Sequence, residues 1–519
     1  MSELILFNAN VITMDPALPK ARLVAIQDGK IVLVSGDQRL RELRKNEATF
    51  IDCHDKTVLP GFIDAHFHLH GFVESLMTLD LDPRHQTHSI SDIQDKIRGE
   101  ARKVPPGTWI RGRGYNEFYL REKRHPTCWD LDIATPVHPT KLTHRSGRAH
   151  VLNSLALQSA GISRETGDPP EGLIDRDVVT GEPTGLLYGM GHHLGRAIPP
   201  LDPDQMEHGI RLADRELRSL GITSLHDASP RNNLKRWKLL RHWKKSGLLK
   251  SRISMMLGIE GLNEYERHEF SPVEGDPVQL GGVKIVLHET TGQLTPCEEE
   301  LDESVFRVHE SGRQVVLHAI EGKTIEAACS AVEHALRRLP RPDPRHRVEH
   351  CSVCPPSLAR RLASLGIIVV TQPSFIYYNG DRYLRTVPES NLRHLYPIAT
   401  LIKNGVKVVA SSDCPIAPAN PMIGIHSAVS RKTEGGELVL PEEGVSPLEA
   451  IRMYTSDAAE SNFEERVKGS IAPGKLADLV VLNDDPTGPS AHEIKDIEVE
   501  MTLVNGEIVW DKFAGPSGN

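Results

Sequence analysis

Gly61-Phe-Ile-Asp-Ala-His66-Phe-His68 is the stretch on which the reading of this chain turns. An apolar run ends in two histidines two positions apart, and it follows Thr57-Val-Leu-Pro60. Side chains alternate between the two faces of a strand, so residues 66 and 68 project the same way and can both reach one ion. Alone, the pair is weak evidence and reads more simply as two satisfied histidines at a strand end. Seven further runs of the same kind follow, at 221–227, 253–260, 283–288, 315–318, 348–350, 367–372 and 406–413. From the second run onward, segments of about 20–40 residues able to supply a helix separate them, as at 298–311 and 323–339. Eight strands with crossover helices is the arithmetic of an α/β fold, the (β/α)8 TIM barrel.

Active sites of such barrels lie at the C-terminal strand ends, where the loops converge. Polar residues stand there in this chain. Lys284 lies in Gly281-Gly-Val-Lys-Ile-Val-Leu-His288, His318 ends Val315-Val-Leu-His, and His350 ends Arg347-Val-Glu-His. Asp413 ends Val408-Val-Ala-Ser-Ser-Asp. With His66 and His68 they make a candidate set of metal ligands, since random placement would rarely put all of them at one barrel end. Lys284 is the least expected member. A lysine in an apolar strand is costly when charged, so burial favours its neutral amine. A neutral amine can capture carbon dioxide to give a carbamate, an anionic oxygen ligand able to bridge two cations. Pairing with a nearby carboxylate is the other reading of the same residue.

The chain has 519 residues, which at about 150 per domain suggests roughly three domains. Hydrophobic residues make up 39% and charged residues 25%, an ordinary globular composition. Lys+Arg number 61 and Asp+Glu 70, a net charge of −9, and this acidic balance argues against nucleic-acid binding. Histidine is in surplus at 25, which is what directs attention to metal and acid–base chemistry. The 7 cysteines are odd in number and thinly spread, so no disulfide framework is expected. Cys351-Ser-Val-Cys354 has no second pair to make a zinc site and reads as ordinary half-buried thiols. No basic stretch followed by an apolar core opens the chain, and no apolar run reaches membrane length, so a cytoplasmic protein without a membrane partner is expected.

Both chain ends read as short strands. Residues 4–13 and 23–35 are rich in apolar residues, with the turn signal Asp28-Gly29 inside the second run. Residues 477–482 and 499–504, then Asn505-Gly506 and 507–510, repeat that character. One small β-sandwich built from residues 1–60 and 465–519 is expected, with the barrel over 61–464. Residues from about 75 to 205 are rich in Pro, Gly, Arg and His and break the strand rhythm after the first barrel strand; they read as an inserted lobe. Within it, Tyr115, Asn116, Arg148 and His150 are candidate substrate contacts. His226-Asp227 and His288-Glu289 end barrel strands and either line the pocket or cap the loops. Tyr377-Tyr378 could form a pocket wall, and His192-His193, with no strand before them, are not expected to be ligands. The basic stretches 231–250 and 337–347 read as solvated helix faces.

This constellation resembles the amidohydrolase superfamily of metal-dependent hydrolases. There HxH ends the first strand, a carboxylated lysine belongs to the fourth, histidines end the fifth and sixth, and an aspartate ends the eighth. These map onto His66, His68, Lys284, His318, His350 and Asp413. Gly469-Ser-Ile-Ala-Pro-Gly-Lys-Leu-Ala-Asp-Leu-Val-Val-Leu482 is similar to the family's return into its small β domain. A narrower likeness is to amidohydrolase family 3, the branch that includes N-substituted formamide deformylase. It rests on Ser411-Ser-Asp-Cys-Pro415, Gly424-Ile-His-Ser-Ala-Val-Ser-Arg431, Asn153-Ser-Leu-Ala-Leu157 and Gly181-Glu-Pro-Thr-Gly185. One stretch departs from it: where many members carry Gly-His-Ala, this chain has Gly147-Arg148-Ala149, with His150 displaced.

The resemblance implies one or two divalent metal ions, zinc expected, with a carbamate on Lys284 as bridge. It implies hydrolysis of a carbon–nitrogen bond in an amide or N-acyl amine, with Asp413 as general base and then general acid. A cyclic amide, a lactone or an ester on the same metal site is the alternative. A non-catalytic scaffold is a different class, but such relatives lose ligands and all six positions are intact here. The expected partner is a small-molecule substrate, with no nucleic acid, and a homodimer is one expected assembly.

Overall fold

In the computed structural model, which describes residues 3–43, 48–169, 172–267, 275–290, 293–488 and 491–514, the eight apolar runs form one parallel sheet. Its strands are β1 (Phe62–Phe67), β2 (Ile222–Asp227), β3 (Arg252–Gly258), β4 (Val278–Val286), β5 (Val315–Ala319), β6 (Arg347–His350), β7 (Ile368–Thr371) and β8 (Val408–Ala410). They pair in chain order, each parallel to the next. Parallel neighbours need long crossovers, and helices such as Glu298–Glu310 and Gly322–Arg338 supply them. Past the last pairing, the Asp413 amide donates to the His66 carbonyl at 3.0 Å and the His68 amide to that of Cys414 at 2.9 Å. These two bonds join the ends of β8 and β1 and make the sheet a nearly closed TIM barrel.

Alternation decides what faces inward. Ile63 and Ala65 pack outward with Ile368, Val370 and Val409 against Ala458 and Ala459 of the helix Ser456–Glu460. The residues between and beyond them, Asp64 and His66, point to the polar interior. Two strand ends differ from expectation. β4 stops at Val286, and His288–Thr290 instead pairs antiparallel with Gln293–Thr295 in a separate ribbon. β8 stops at Ala410, because the Ser412 amide donates to the Asp64 carboxylate rather than to a neighbouring strand. Residues 259 and 260, expected in a strand, open the helix Ile259–Glu266. Cys351 and Cys354 are fully buried, not half-buried.

The chain ends contribute two further sheets. Glu3–Phe7, Leu23–Gln27, Lys30–Ser35 and Ala48–Asp52 form one. Asn10–Ile12, Lys20–Ala21 and Thr57–Pro60 join Leu479–Leu482, Val499–Val504 and Glu507–Asp511 in the other. Asp28 and Gly29 turn the first hairpin with φ of 52° and 76°, as a two-residue turn of that hand requires. Leu6, Val24 and Ile26 from the first sheet share one buried cluster with Val11, Val58, Leu479 and Leu503 from the second. Residues 70–213 form a separate compact unit. Its six-stranded sheet includes Ile110–Tyr115, Thr140–His144 and Ala149–Leu152, and its Leu142 and Val151 pack with Ile93, Ile97 and Leu131. No helix among the described residues is long and apolar enough to cross a membrane.

Asp478 ties the C-terminal sheet to the barrel. Its carbonyl accepts from the Gly61 amide at 2.8 Å, on the approach to β1. Its carboxylate accepts from Arg252 Nε at 2.6 Å and Nη2 at 3.0 Å, at the start of β3, and from the Asn505 amide at 2.8 Å. The carboxylate is buried while Arg252 is partly solvated, so removing it strands a half-desolvated guanidinium. Asp478→Ala should cost about 2 kcal/mol of stability, read as a lowered thermal midpoint. An unchanged midpoint would show that this pair does not hold the two parts together.

Candidate metal centre

The centre assembles from the ends of three barrel segments. His66 is buried on β1, and its Nδ1 bonds the carboxylate of Glu349 on β6. That leaves Nε2 facing Asp413 Oδ1 at 3.6 Å. His68, just past β1, uses Nδ1 toward Ser229 Oγ at 3.2 Å and brings Nε2 to 3.0 Å from the same Asp413 oxygen. One ligand atom each from His66, His68 and Asp413 lie within 4.8 Å of one another. Asp413 itself adopts a φ of 57°, a left-handed conformation that a non-glycine residue holds only when its surroundings enforce it. The enforcement is visible. Its amide is bonded to His66, and the preceding Ser412 is clamped by Asp64 through its amide at 3.2 Å and its hydroxyl at 2.5 Å.

Two more imidazoles stand beside this trio. The His350 ring centre is 4.9 Å from that of His66, and the His318 ring centre is 4.3 Å from that of His350. His350 also has a positive φ, 72°. Its Nδ1 meets Gln372 Oε1 at 2.9 Å, while the Gln372 amide nitrogen donates to Ser411 Oγ at 3.0 Å. An amide oxygen only accepts, so His350 donates from Nδ1 and keeps a lone pair on Nε2. That buried nitrogen has no hydrogen-bond partner among the described residues, and neither does Lys284 Nζ on β4. Orphaned buried donors and acceptors are costly. Imidazole nitrogens with lone pairs turned inward, one carboxylate and an orphaned amine are a donor set that fits a divalent cation.

The electrostatics hold His66 and Asp413 in their ligand forms. Burial, with the charge of Lys284, takes His66 down to about 3 despite the opposing pull of Glu349, so the imidazole is neutral. Burial would raise Asp413, but the His68 hydrogen bond and the His66 and His350 rings outweigh it and hold the carboxyl at about 2. Burial lowers Lys284 to about 8 against the pull of Glu349 and Asp413. Glu349 is held well below the carboxylate range, its burial overcome by Arg347, His66 and Lys284.

The other candidates separate. His226 is buried on β2, with Nδ1 3.5 Å from Arg347 Nη1 and Nε2 3.5 Å from Glu464. Asp227 accepts from the amides of Leu69 and Ser229 and from Asn232, so it braces the loop after β2. The His288 ring centre is 6.3 Å from that of His318, and Glu289 pairs with Lys323. Tyr377 and Tyr378 stack edge to face on the helix Ser374–Thr386, and Tyr377 meets His426. Tyr115, Asn116, Arg148 and His150 belong to the unit 70–213. Within it the Tyr115 hydroxyl bonds His125 Nδ1 at 3.0 Å, Asn116 accepts from the Phe118 amide, and His150 Nδ1 meets Thr143 Oγ1 at 3.3 Å. His193 is exposed on the helix Gly191–Ala197, and the side chain of His192 lies outside the described residues.

Reasoning from strand ends missed Asp64, Arg347, Glu349 and Gln372. A signal existed for three of them. Asp64 precedes His66 by two, so it shares that inward face, and Arg347 and Glu349 alternate along a buried strand where an apolar run would be ordinary. Gln372, one residue past β7, carried none.

The chain as a whole has known relatives. A family model described as "Amidohydrolase family" matches residues 49–510. YtcJ of Bacillus subtilis (strain 168) is 29% identical over 520 residues, covering 95% of this chain and 96% of that protein. N-substituted formamide deformylase of Arthrobacter pascens is 28% identical over 544 residues and covers 99% of each chain. The crystal structure of an uncharacterized metal-dependent hydrolase from Pyrococcus furiosus superposes with a TM-score of 0.73 at 25% identity, covering 94% of this chain and 100% of that one.

The wild type and His150→Ala should keep a divalent ion through dialysis, whereas His66→Ala and His68→Ala should lose it. Elemental analysis of the dialysed proteins checks this, and equal metal content in all of them would rule out the site.

Proposed function

The chain belongs to the amidohydrolase family, and on that premise we propose that it hydrolyses a non-peptide carbon–nitrogen bond in an amide or N-acyl amine. The coarser activity, a metal-dependent hydrolase, follows from the family; the bond and the substrate class are the proposal. Asp413 carries it. An ionised carboxylate, held in a strained left-handed conformation between two imidazoles, is a group positioned to move a proton. The near full-length likeness to a formamide deformylase supports a carbon–nitrogen rather than a carbon–oxygen or phosphorus–oxygen bond.

His66, His68, His318, His350, Asp413 and Lys284 would hold one or two divalent ions, with zinc favoured by the nitrogen-rich set. When bound, such an ion polarises a carbonyl and makes water more acidic. The chain's own residues supply the rest. His66 and His350, each fixed through Nδ1 by Glu349 and Gln372, keep their Nε2 lone pairs in place without a conformational search. Asp413 takes the proton of the attacking water on a carboxylate oxygen and passes it to the leaving nitrogen, so that the amine departs neutral. Lys284, with its buried and orphaned amine, would first lose its ammonium proton; the neutral amine then adds carbon dioxide and releases a second proton, giving a carbamate, an anionic oxygen ligand. The two terminal sheets, sharing one core, would be the expected β-sandwich.

A screen of N-substituted formamides and longer N-acyl amines against cyclic amides and lactones tests the reading, with release of the amine as the readout. Turnover confined to lactones or esters would overturn it. Asp413→Asn should lower kcat by about 10²–10⁴-fold while most of the bound metal stays. Full activity in that variant would remove Asp413 from proton transfer. Growth or incubation with carbon-13 bicarbonate should give a carbamate carbon resonance in the wild type that Lys284→Met lacks; its absence from both would leave Lys284 an unmodified amine.

A further inference from the structure

Beneath the donors the barrel interior holds a chain of buried ions. Arg347 and Glu349 share the inward face of β6, and both are fully buried. Arg347 Nε donates to Glu349 Oε1 at 2.8 Å and Nη2 to Oε2 at 3.1 Å, a two-pronged pair between residues two apart. The same Nη2 donates to the carbonyl of Ala65 at 2.7 Å, one residue before His66 on β1. Glu349 Oε2 in turn bonds His66 Nδ1. Both the strand position of His66 and the orientation of its ring are therefore referred to one guanidinium.

We propose that Arg347 is a positioning residue for His66, acting through Glu349 to fix the ring nitrogen that faces the donors. The inference rests on the metal reading given above. Bidentate pairing gives Glu349 one rotamer and leaves Oε2 aimed at His66. A carboxylate only accepts, so the hydrogen sits on Nδ1 and the lone pair on Nε2, toward Asp413 and His68. Without the guanidinium, Glu349 could swing, and either imidazole tautomer could turn inward. Arginine is required because a lysine ammonium is a single point and cannot hold both carboxylate oxygens and the Ala65 carbonyl at once.

Below this pair the ions continue. Arg347 Nη1 is 3.5 Å from His226 Nδ1, His226 Nε2 is 3.5 Å from Glu464, and Glu464 pairs with Lys468 at 2.8 Å. Lys468 Nζ reaches Ser224 Oγ on β2 at 2.5 Å. The lower half is an ordinary buried ion pair with no contact to a donor. It provides the control, because disturbing it tests the general effect of an altered barrel interior.

The experiment compares the wild type with Arg347→Lys, Glu349→Gln and Lys468→Met, each loaded with cobalt(II). Chelator competition gives metal affinity, and the visible absorption of bound cobalt reports its ligand geometry. Circular dichroism and a thermal midpoint confirm that each variant is folded. Arg347→Lys and Glu349→Gln should weaken affinity by about 10–100-fold and change the cobalt spectrum. Lys468→Met should lower the midpoint while affinity and spectrum stay at wild-type values. If Arg347→Lys binds like the wild type, the positioning role is wrong while the metal reading stands. If Lys468→Met weakens binding as much as Arg347→Lys does, the effect belongs to the barrel interior at large and the role is again overturned. Should Glu349→Gln fail to fold, Arg347→Lys and Lys468→Met still decide the matter. A folded wild type that takes up no cobalt would overturn the metal reading and this role together.

Discussion

Two main-chain hydrogen bonds, Asp413 to His66 and His68 to Cys414, are the constraint on which the rest of this molecule depends. They fall where the barrel must close, between a last strand of three residues and the first. The same bonds bring the acid of one segment between the two histidines of the other. Closure and assembly of the centre are therefore one event. Asp64 strengthens the seam by clamping Ser412, and its own carboxyl is pushed up to about 7 by burial, against the pull of the Ser412 hydrogen bonds. The strained backbone at Asp413 costs about 1–3 kcal/mol, which the seam and its clamps offset. A barrel that closed by a longer, regular eighth strand would turn that carboxylate elsewhere.

Much of the barrel was legible because β-branched runs broken by helical stretches admit few other folds, and each of the eight runs became a strand. Strand ends were less legible. Whether a run continues depends on where its next amide finds a partner, and Ser412 finds Asp64, 348 residues away in sequence. His288 was placed on the fourth strand, but its segment pairs with 293–295 because the ladder to β5 ends at Leu287. The HxH pair, His318, His350 and Lys284 could be read from their spacing and from polar interruptions of apolar runs. Glu349 could not be assigned to His66, since the stagger between β1 and β6 is set by the closed sheet and by nothing local.

The interior is polar where an ordinary core would be apolar. A larger apolar cluster sits outside the sheet, where Ile63, Ala65, Ile368, Val370 and Val409 meet the helix Ser456–Glu460, while Ala228, Met256 and Val316 make a small one. Within, burying ions gains little stability, since an apolar filling of equal volume would do as well or better. A filling of ions is reasonable here only if it does something an apolar one cannot, and holding imidazole rings by hydrogen bonds to carboxylates is such a thing.

The pairing of these charges points to where a cation belongs. Arg347 answers Glu349, and Lys468 answers Glu464. Asp413 is left over, with His66 and His68 against it and no arginine in its ion pairs among the described residues. Lys284 is drawn to it electrostatically, but burial has lowered that amine to about 8. A protonated Lys284 and a divalent ion compete for the same negative charge. Any cation that settles among His66, His68 and Asp413 favours release of the lysine proton, and the amine it leaves behind is the form that can become an anionic ligand.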